Sequence, residues 1–357
     1  MSELITLSKS DPRFPSYIQG TFSQEHRALP LHSLNVNTSS EQVTFQVVPK
    51  NQIQPPFLGL HWLQVLKVRN LLMVAFPIFL VFVENWQARN LLDPLTGGLS
   101  ALGALFLMTA VNLRNDYLDH LSGLDRLHPH SESHAIQKGW VTAAQVRKWS
   151  FVYLALGVIF GLRAVFLYPK ILILVGAFAL LGIFGMTSFQ TGLKYRRWSE
   201  WTVFLLLGPL LTLGIQFSIG GNFTWTTFYL GCLTGWLSVF YLHLKNFEQL
   251  MVNDQARFQN TMTWLGFERG KLWLIFCWCL LVTGLIVFHL SQASSLWLAQ
   301  ITLTGIVTSL LLVRALMSLE SPVGSRMKKV VRLGQQSILW MSCIWTLEWL
   351  WLFWVQG

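Results

Sequence analysis

Nine long apolar stretches leave this 357-residue chain few ways to fold in water. They run over about 67–87, 96–114, 149–167, 171–188, 201–219, 225–244, 272–290, 296–316 and 337–355. A helix needs about 20 mostly apolar residues to cross the hydrocarbon core of a bilayer, and each stretch has roughly that length. The runs are continuous rather than alternating in pieces of about ten residues, which favours helices over barrel strands. Apolar residues make up 53% of the chain and charged ones 12%, against roughly 25% charged in soluble domains. Cys232, Cys277, Cys279 and Cys343 all lie in apolar runs without framework spacing. A cytosolic enzyme, a disordered chain and a secreted disulfide scaffold are excluded. The fold class is an all-α polytopic membrane protein with nine transmembrane helices.

The net charge of +10 points to topology before it points to a nucleic-acid partner, and none is expected. Of the 26 Lys and Arg residues, 23 fall on the N-terminal side, up to the start of the first run, or beside the loops after the second, fourth, sixth and eighth. Only Arg89, Arg163 and Lys170 lie towards the other side. The positive-inside rule then places the N-terminus and those loops in the cytoplasm and the C-terminus outside, as expected in a bacterial inner membrane. The surplus charge also suits anionic membrane lipid. No obligatory protein partner is expected. Residues 1–58 read as a polar cytoplasmic extension and 59–357 as the transmembrane domain. The extension has no basic segment followed by an apolar one, so no secretory signal is expected. Gln42–Val48 alternates enough for one weak strand, and the rest is expected to have little fixed structure.

Polar residues at the end of a spanning helix are functional candidates. The densest acidic set ends the second run, where Asn112, Asn115, Asp116 and Asp119 fall at i, i+3, i+4 and i+7 on one helical face. Gly123 is placed to end that helix and let Asp125 fold back. Carboxylates and amide oxygens on one face repel one another unless a cation sits between them. A few hard oxygen donors, with room for water and a substrate phosphate, suit Mg²⁺.

Asn115-Asp116-Tyr117-Leu118-Asp119, followed by Gly123-Leu124-Asp125, resembles the first aspartate motif of the UbiA superfamily of intramembrane prenyltransferases. Within it the spacing is most similar to the 1,4-dihydroxy-2-naphthoate polyprenyltransferases of the menaquinone branch. Ile136-Gln137-Lys138-Gly139-Trp140-Val141-Thr142 resembles that branch's Gln-Lys-Gly segment. Leu63-Gln64 with Lys67 and Arg69 is similar to its approach to helix one, with Val68 where the family has proline. The resemblance spans about residues 60–355 and is most specific over 112–142.

There are departures. His134 stands where the family has Arg. The second aspartate motif, expected at the end of helix six, reads Asn246-x-x-Gln249-x-x-x-Asn253, with amides in place of both acids. Glu248 and Asp254 lie beside these positions, but one residue turns a helical side chain by about 100°. They replace the missing acids only if the helix rotates or breaks there. Amides ligate Mg²⁺ without the charge that balances a second ion, leaving Lys245 and Arg257 to meet phosphate directly. Gln259-Asn260-Thr261 replaces the family's basic tripeptide.

The resemblance implies nine helices around a central cavity, faced by both motifs from the same side. It also implies Mg²⁺-dependent transfer from a polyprenyl diphosphate to an aromatic quinone precursor, in its closest branch 1,4-dihydroxy-2-naphthoate. Asp116 and Asp119 would hold Mg²⁺ with Asn112 and Asn115 beside them. Asp125 would bind a second ion or position Lys138. Arg69, Lys138 and Lys245 would pair with diphosphate oxygens. Another acceptor such as 4-hydroxybenzoate, or a non-catalytic prenyl-lipid or quinone-binding relative, is the alternative. A zinc cluster at His128, His130, Glu132 and His134 is disfavoured by its irregular spacing.

Overall fold

The computed structural model describes residues 3–36, 38–87, 93–127, 134–188, 192, 193, 196, 198–256, 258–291 and 295–356. The chain divides into two compact units, 1–72 with 105–159, and 73–104 with 160–357.

In the first unit the N-terminal segment is ordered. β1 (Glu3–Ser8), β2 (His26–Leu34) and β3 (Gln42–Pro49) form an antiparallel sheet in the order β1-β3-β2, with α1 (Phe14–Gln19) between the first two strands. The expectation of a largely unstructured extension is corrected here. β3 alternates as the sequence suggests, so Val43, Phe45 and Val47 all face inward. Val43 and Phe45 pack with Leu7 of β1 and with Phe14 and Ile18 of α1. Pro30 sits on the edge strand β2, where the ladder shifts between Pro30 and His32; an edge tolerates the missing donor.

Two helices, α2 (Leu58–Val65) and α3 (Val68–Gln87), follow the sheet. Next come α4 (Pro94–Ser122), the short α5 (Leu124–Leu127), α6 (Ala143–Leu167) and α7 (Pro169–Met186). Thr142 and Gln145 start α6 as a reciprocal cap: the Gln145 amide N–H donates to Thr142 Oγ1 at 3.1 Å, and the Thr142 N–H donates to Gln145 Oε1 at 2.9 Å. Val65, Leu113, Tyr117, Leu118, Ile136 and Val146 form the core shared by α2, the end of α4, the segment before α6 and the start of α6. Leu121 touches both this core and that of the sheet.

The second unit continues with α8 (Ser199–Leu207), α9 (Pro209–Ser218), α10 (Trp225–Glu248), α11 (Leu250–Gln255), α12 (Thr261–Ser291), α13 (Ser295–Met317) and α14 (Ser325–Gln356). The run at 201–219 is therefore not one continuous helix. Pro209 lacks an N–H and restricts the residue before it, so the chain breaks at Gly208. The break also brings backbones together. A Cβ on Gly208 would lie 2.4 Å from the Gly231 carbonyl oxygen and 2.8 Å from the Gly235 Cα, so small residues four apart on α10 admit the neighbouring helix. α10 packs against α8, α9, α12 and α14. Its Leu237, Phe240, Leu244 and Phe247 share a core with Trp278 and Trp345.

Among the described residues, eight segments are long and apolar enough to cross a membrane. The chain is an integral membrane protein. The ninth apolar run is α14, which is helical but carries Glu348 and five tryptophans (Trp340, Trp345, Trp349, Trp351 and Trp354) that dilute its aliphatic content.

Candidate functional site

The last turns of α4 bring Asn112, Asn115, Asp116 and Asp119 to one face, as the spacing requires. Asn112 and Asp116 are buried; Asn115 and Asp119 are half-buried. The Lys67 ammonium meets Asp116 Oδ1 at 2.5 Å. Lys67 occupies the two-residue break between α2 and α3 with φ +50°, a left-handed conformation uncommon for a residue with a Cβ. Such a conformation costs energy and persists only where the surrounding structure over-determines it, here with the ammonium held on a carboxylate. Sequence reasoning put the phosphate-facing cation of this segment at Arg69, which is exposed. The only sequence signal for Lys67 was its place two residues earlier in the same basic pair.

Gly123 ends α4 with φ +82°. A Cβ there would come within 2.7 Å of Val36 Cγ1 and 2.6 Å of Arg126 Nη2, so both the turn and the close approach require glycine. The chain then turns into α5, which carries Asp125. Asp125 Oδ2 accepts a hydrogen bond from the Gln137 side-chain amide at 2.8 Å. Burial, reinforced by the charges of Asp119 and Asp116, pushes the Asp125 carboxyl up to about 7, although Lys67 and Gln137 pull the other way. Lys138 is exposed, with its ammonium 4.6 Å from the centroid of the Trp140 ring. The Gln-Lys-Gly segment thus contributes its glutamine to Asp125 and turns its lysine onto an aromatic face.

These are hard oxygen donors. Asn115 Oδ1 is buried and has no hydrogen-bond partner among the described residues, a costly arrangement unless the oxygen has a ligand. Among the described residues no three His, Cys, Asp or Glu side chains are gathered closely enough to hold an ion by themselves. The set instead fits a cation that takes one or two carboxylates and fills its remaining positions with amide oxygen, water and phosphate, as Mg²⁺ does. His128, His130 and Glu132 of the suggested zinc cluster lie outside the described residues.

The second motif, in the other unit, differs. α10 ends at Glu248 and the helix breaks at Gln249 before α11 resumes. The break does not turn the neighbouring acid inward: Asn253 is buried and Asp254 is exposed. Asn246, Glu248 and Gln249 are half-buried. The Lys245 ammonium lies 5.0 Å from the Tyr241 ring centroid, and Arg257 lies outside the described residues. Where a basic tripeptide was expected, Glu200 Oε1 accepts from the Thr261 backbone N–H at 3.0 Å. A buried acid from α8 therefore faces the N-terminal end of α12, where its charge is favourable. Sequence reading missed Glu200, whose partner lies 61 positions away.

The model of the UbiA prenyltransferase family matches residues 74–333. The 1,4-dihydroxy-2-naphthoate octaprenyltransferase of Mycobacterium tuberculosis is 28% identical over 225 residues, covering 62% of this chain and 74% of that protein. The protein of the same name from Mycobacterium leprae is 25% identical over 248 residues, covering 69% and 82%. Among solved structures, a UbiA homolog from Archaeoglobus fulgidus bound to DMAPP and Mg²⁺ aligns with a TM-score of 0.57 at 13% identity, covering 80% of this chain and 98% of that one. The same homolog bound to GPP and Mg²⁺ gives 0.55 at 14% identity, covering 80% and 99%. At such identity these two structures speak for the fold alone.

Proposed function

This chain belongs to the UbiA prenyltransferase family and is a membrane-embedded prenyltransferase; from that premise we propose that it transfers a polyprenyl group from its diphosphate to 1,4-dihydroxy-2-naphthoate, a step of menaquinone biosynthesis. Family membership displaces the non-catalytic reading of the altered second motif. The acceptor is supported by the two mycobacterial relatives. The chemistry rests on one observation above all: the charges of Asp119 and Asp116 reach the buried Asp125 carboxyl, Lys67 contacts Asp116, and the nearby Asn115 Oδ1 is buried with no hydrogen-bond partner among the described residues.

In this reading Asp116 and Asp119, with Asn112 and Asn115, hold Mg²⁺. When bound, the ion neutralises charge that builds on the departing diphosphate. Lys67 presents an ammonium to phosphate oxygens at the same place, and Arg69 and Lys138 add positive charge for the diphosphate, the role that the resemblance also implies for Lys245. Asp125 completes the acidic face and keeps Gln137 oriented. The allylic C–O bond breaks with its electron pair leaving on the diphosphate. A ring carbon of the acceptor supplies the pair for the new C–C bond, and loss of the carboxylate as CO₂ returns a pair to the ring. Apolar helix walls bury the isoprenoid at about 0.8 kcal/mol per CH₂ and keep water from the allylic cation. The charge distribution supports cytoplasmic Asp116 and Lys138, an external C-terminus and a bacterial inner membrane.

The test is to give the purified protein Mg²⁺, polyprenyl diphosphates of several lengths, and dihydroxynaphthoate, 4-hydroxybenzoate or homogentisate separately. A prenylated naphthoquinol is the expected product. Product from a different acceptor alone would keep the site and overturn the acceptor.

A further inference from the structure

The N-terminal segment precedes the residues matched by the family model, yet its Ile18, Ser33 and Glu41 hydrogen-bond with His120 and Arg126, the chain neighbours of Asp119 and Asp125. We propose that this sheet is a positioning subdomain that holds the Asp125 carboxyl in place through Glu41, Arg126, His120 and Gln137. The proposal rests on reading Asp125 as part of the transfer site.

Two lines of contact carry it. Along the first, Glu41 immediately before β3 and Arg126 on α5 form an ion pair at 2.5 Å, with both side chains 1% exposed. The guanidinium is spent in three directions. Nη2 donates to Glu41 Oε1, Nε donates to Ser33 Oγ on β2 at 2.6 Å, and Nη1 donates to the His120 carbonyl on α4 at 2.7 Å. One side chain therefore ties two positions of the sheet segment to the last turn of α4, and its chain neighbour is Asp125. A buried ion pair contributes little net stability once desolvation is counted, and its best-attested use is to fix register.

The second line reaches the carboxyl itself. His120 Nε2 lies 2.8 Å from the Ile18 carbonyl oxygen of α1, an acceptor only, so this nitrogen carries the proton and donates. Nδ1 of the neutral ring is then an acceptor, and the Gln137 side-chain NH₂ donates to it at 3.2 Å. The other N–H of that amide donates to Asp125 Oδ2. Carbonyl, imidazole, amide and carboxylate thus follow with every donor matched to an acceptor. Turning the Gln137 amide over would set its oxygen against two acceptors, so its orientation is fixed. α5 has only four residues and cannot hold Asp125 by its own helical bonds. The sheet supplies what the short helix lacks.

The test uses the full chain with Glu41→Leu, reading amide hydrogen exchange over residues 120–127 and, separately, the Mg²⁺ dependence of turnover. Exchange over 120–127 should rise about tenfold while 143–167 is unchanged, and the Mg²⁺ needed for half-maximal rate should rise about tenfold at constant acceptor KM. Glu41→Gln keeps an acceptor for Arg126 and should restore most of both. A Glu41→Leu protein with lowered thermal stability but wild-type exchange and Mg²⁺ dependence would overturn the proposal. If Glu41→Leu does not fold, Ser33→Ala and Gln137→Leu interrupt the two lines separately and are read the same way. If the wild-type protein transfers to no acceptor, the functional reading fails, and the exchange result alone decides: raised exchange at 120–127 supports positioning, and unchanged exchange refutes it.

Discussion

At the end of α4, Asp116 meets the Lys67 ammonium, and its charge and that of Asp119 reach Asp125 on α5; at the end of α10, the matching positions hold amides and the nearby Asp254 is exposed. Both are polar helix ends with similar spacing, but among the described residues only the first concentrates negative charge and leaves a buried amide oxygen without a hydrogen-bond partner. Shared spacing conserves geometry, whereas charge decides which end can hold a divalent ion against its hydration.

The largest effect should come from Asp119→Asn, which keeps shape and removes charge. Transfer should fall by about three orders of magnitude or more with folding intact, because a half-buried helix-end residue contributes little to the core. Turnover and thermal unfolding measured side by side check this, and near-wild-type turnover would break the comparison. Lys67→Asn comes next. Asparagine tolerates the left-handed backbone, so the change isolates the ammonium, and the KM for prenyl diphosphate should rise about tenfold or more. An unchanged KM would leave Lys67 as a structural partner of Asp116 only.

The sequence disclosed the membrane helices because hydropathy is a local property, and it disclosed Asn112 to Asp119 because helical periodicity is local too. It hid Lys67 because a left-handed residue between two helices is imposed by tertiary contact. The sheet was hidden for another reason: β1 and β2 offer one fully inward hydrophobic position, Leu7, and a mid-strand proline, and only pairing with β3 makes them strands. Glu200 likewise depends on α12, distant in sequence, whereas the break at Gly208 follows locally from Pro209.

A gain of charge sharpens the comparison. The pair Gln249→Asp with Asn253→Asp should lower the Mg²⁺ for half-maximal rate by roughly a few-fold, whereas Asp254→Ala should change it little because that carboxylate is exposed. The reverse pattern would mean that Asp254 serves the site after all. Smallest is Glu200→Gln, which weakens the acid at the start of α12 and should cost about 1 kcal/mol in thermal unfolding with Mg²⁺ dependence unchanged.

The central claim, that the first motif holds the ion, is tested most directly without turnover. Mn²⁺ binding can be followed by electron paramagnetic resonance in the presence of a non-reactive prenyl diphosphate analogue, in wild type, Asp116→Asn and Asn253→Ala. A bound ion is expected in wild type and in Asn253→Ala, and its loss in Asp116→Asn. Retention in Asp116→Asn with loss in Asn253→Ala would contradict it.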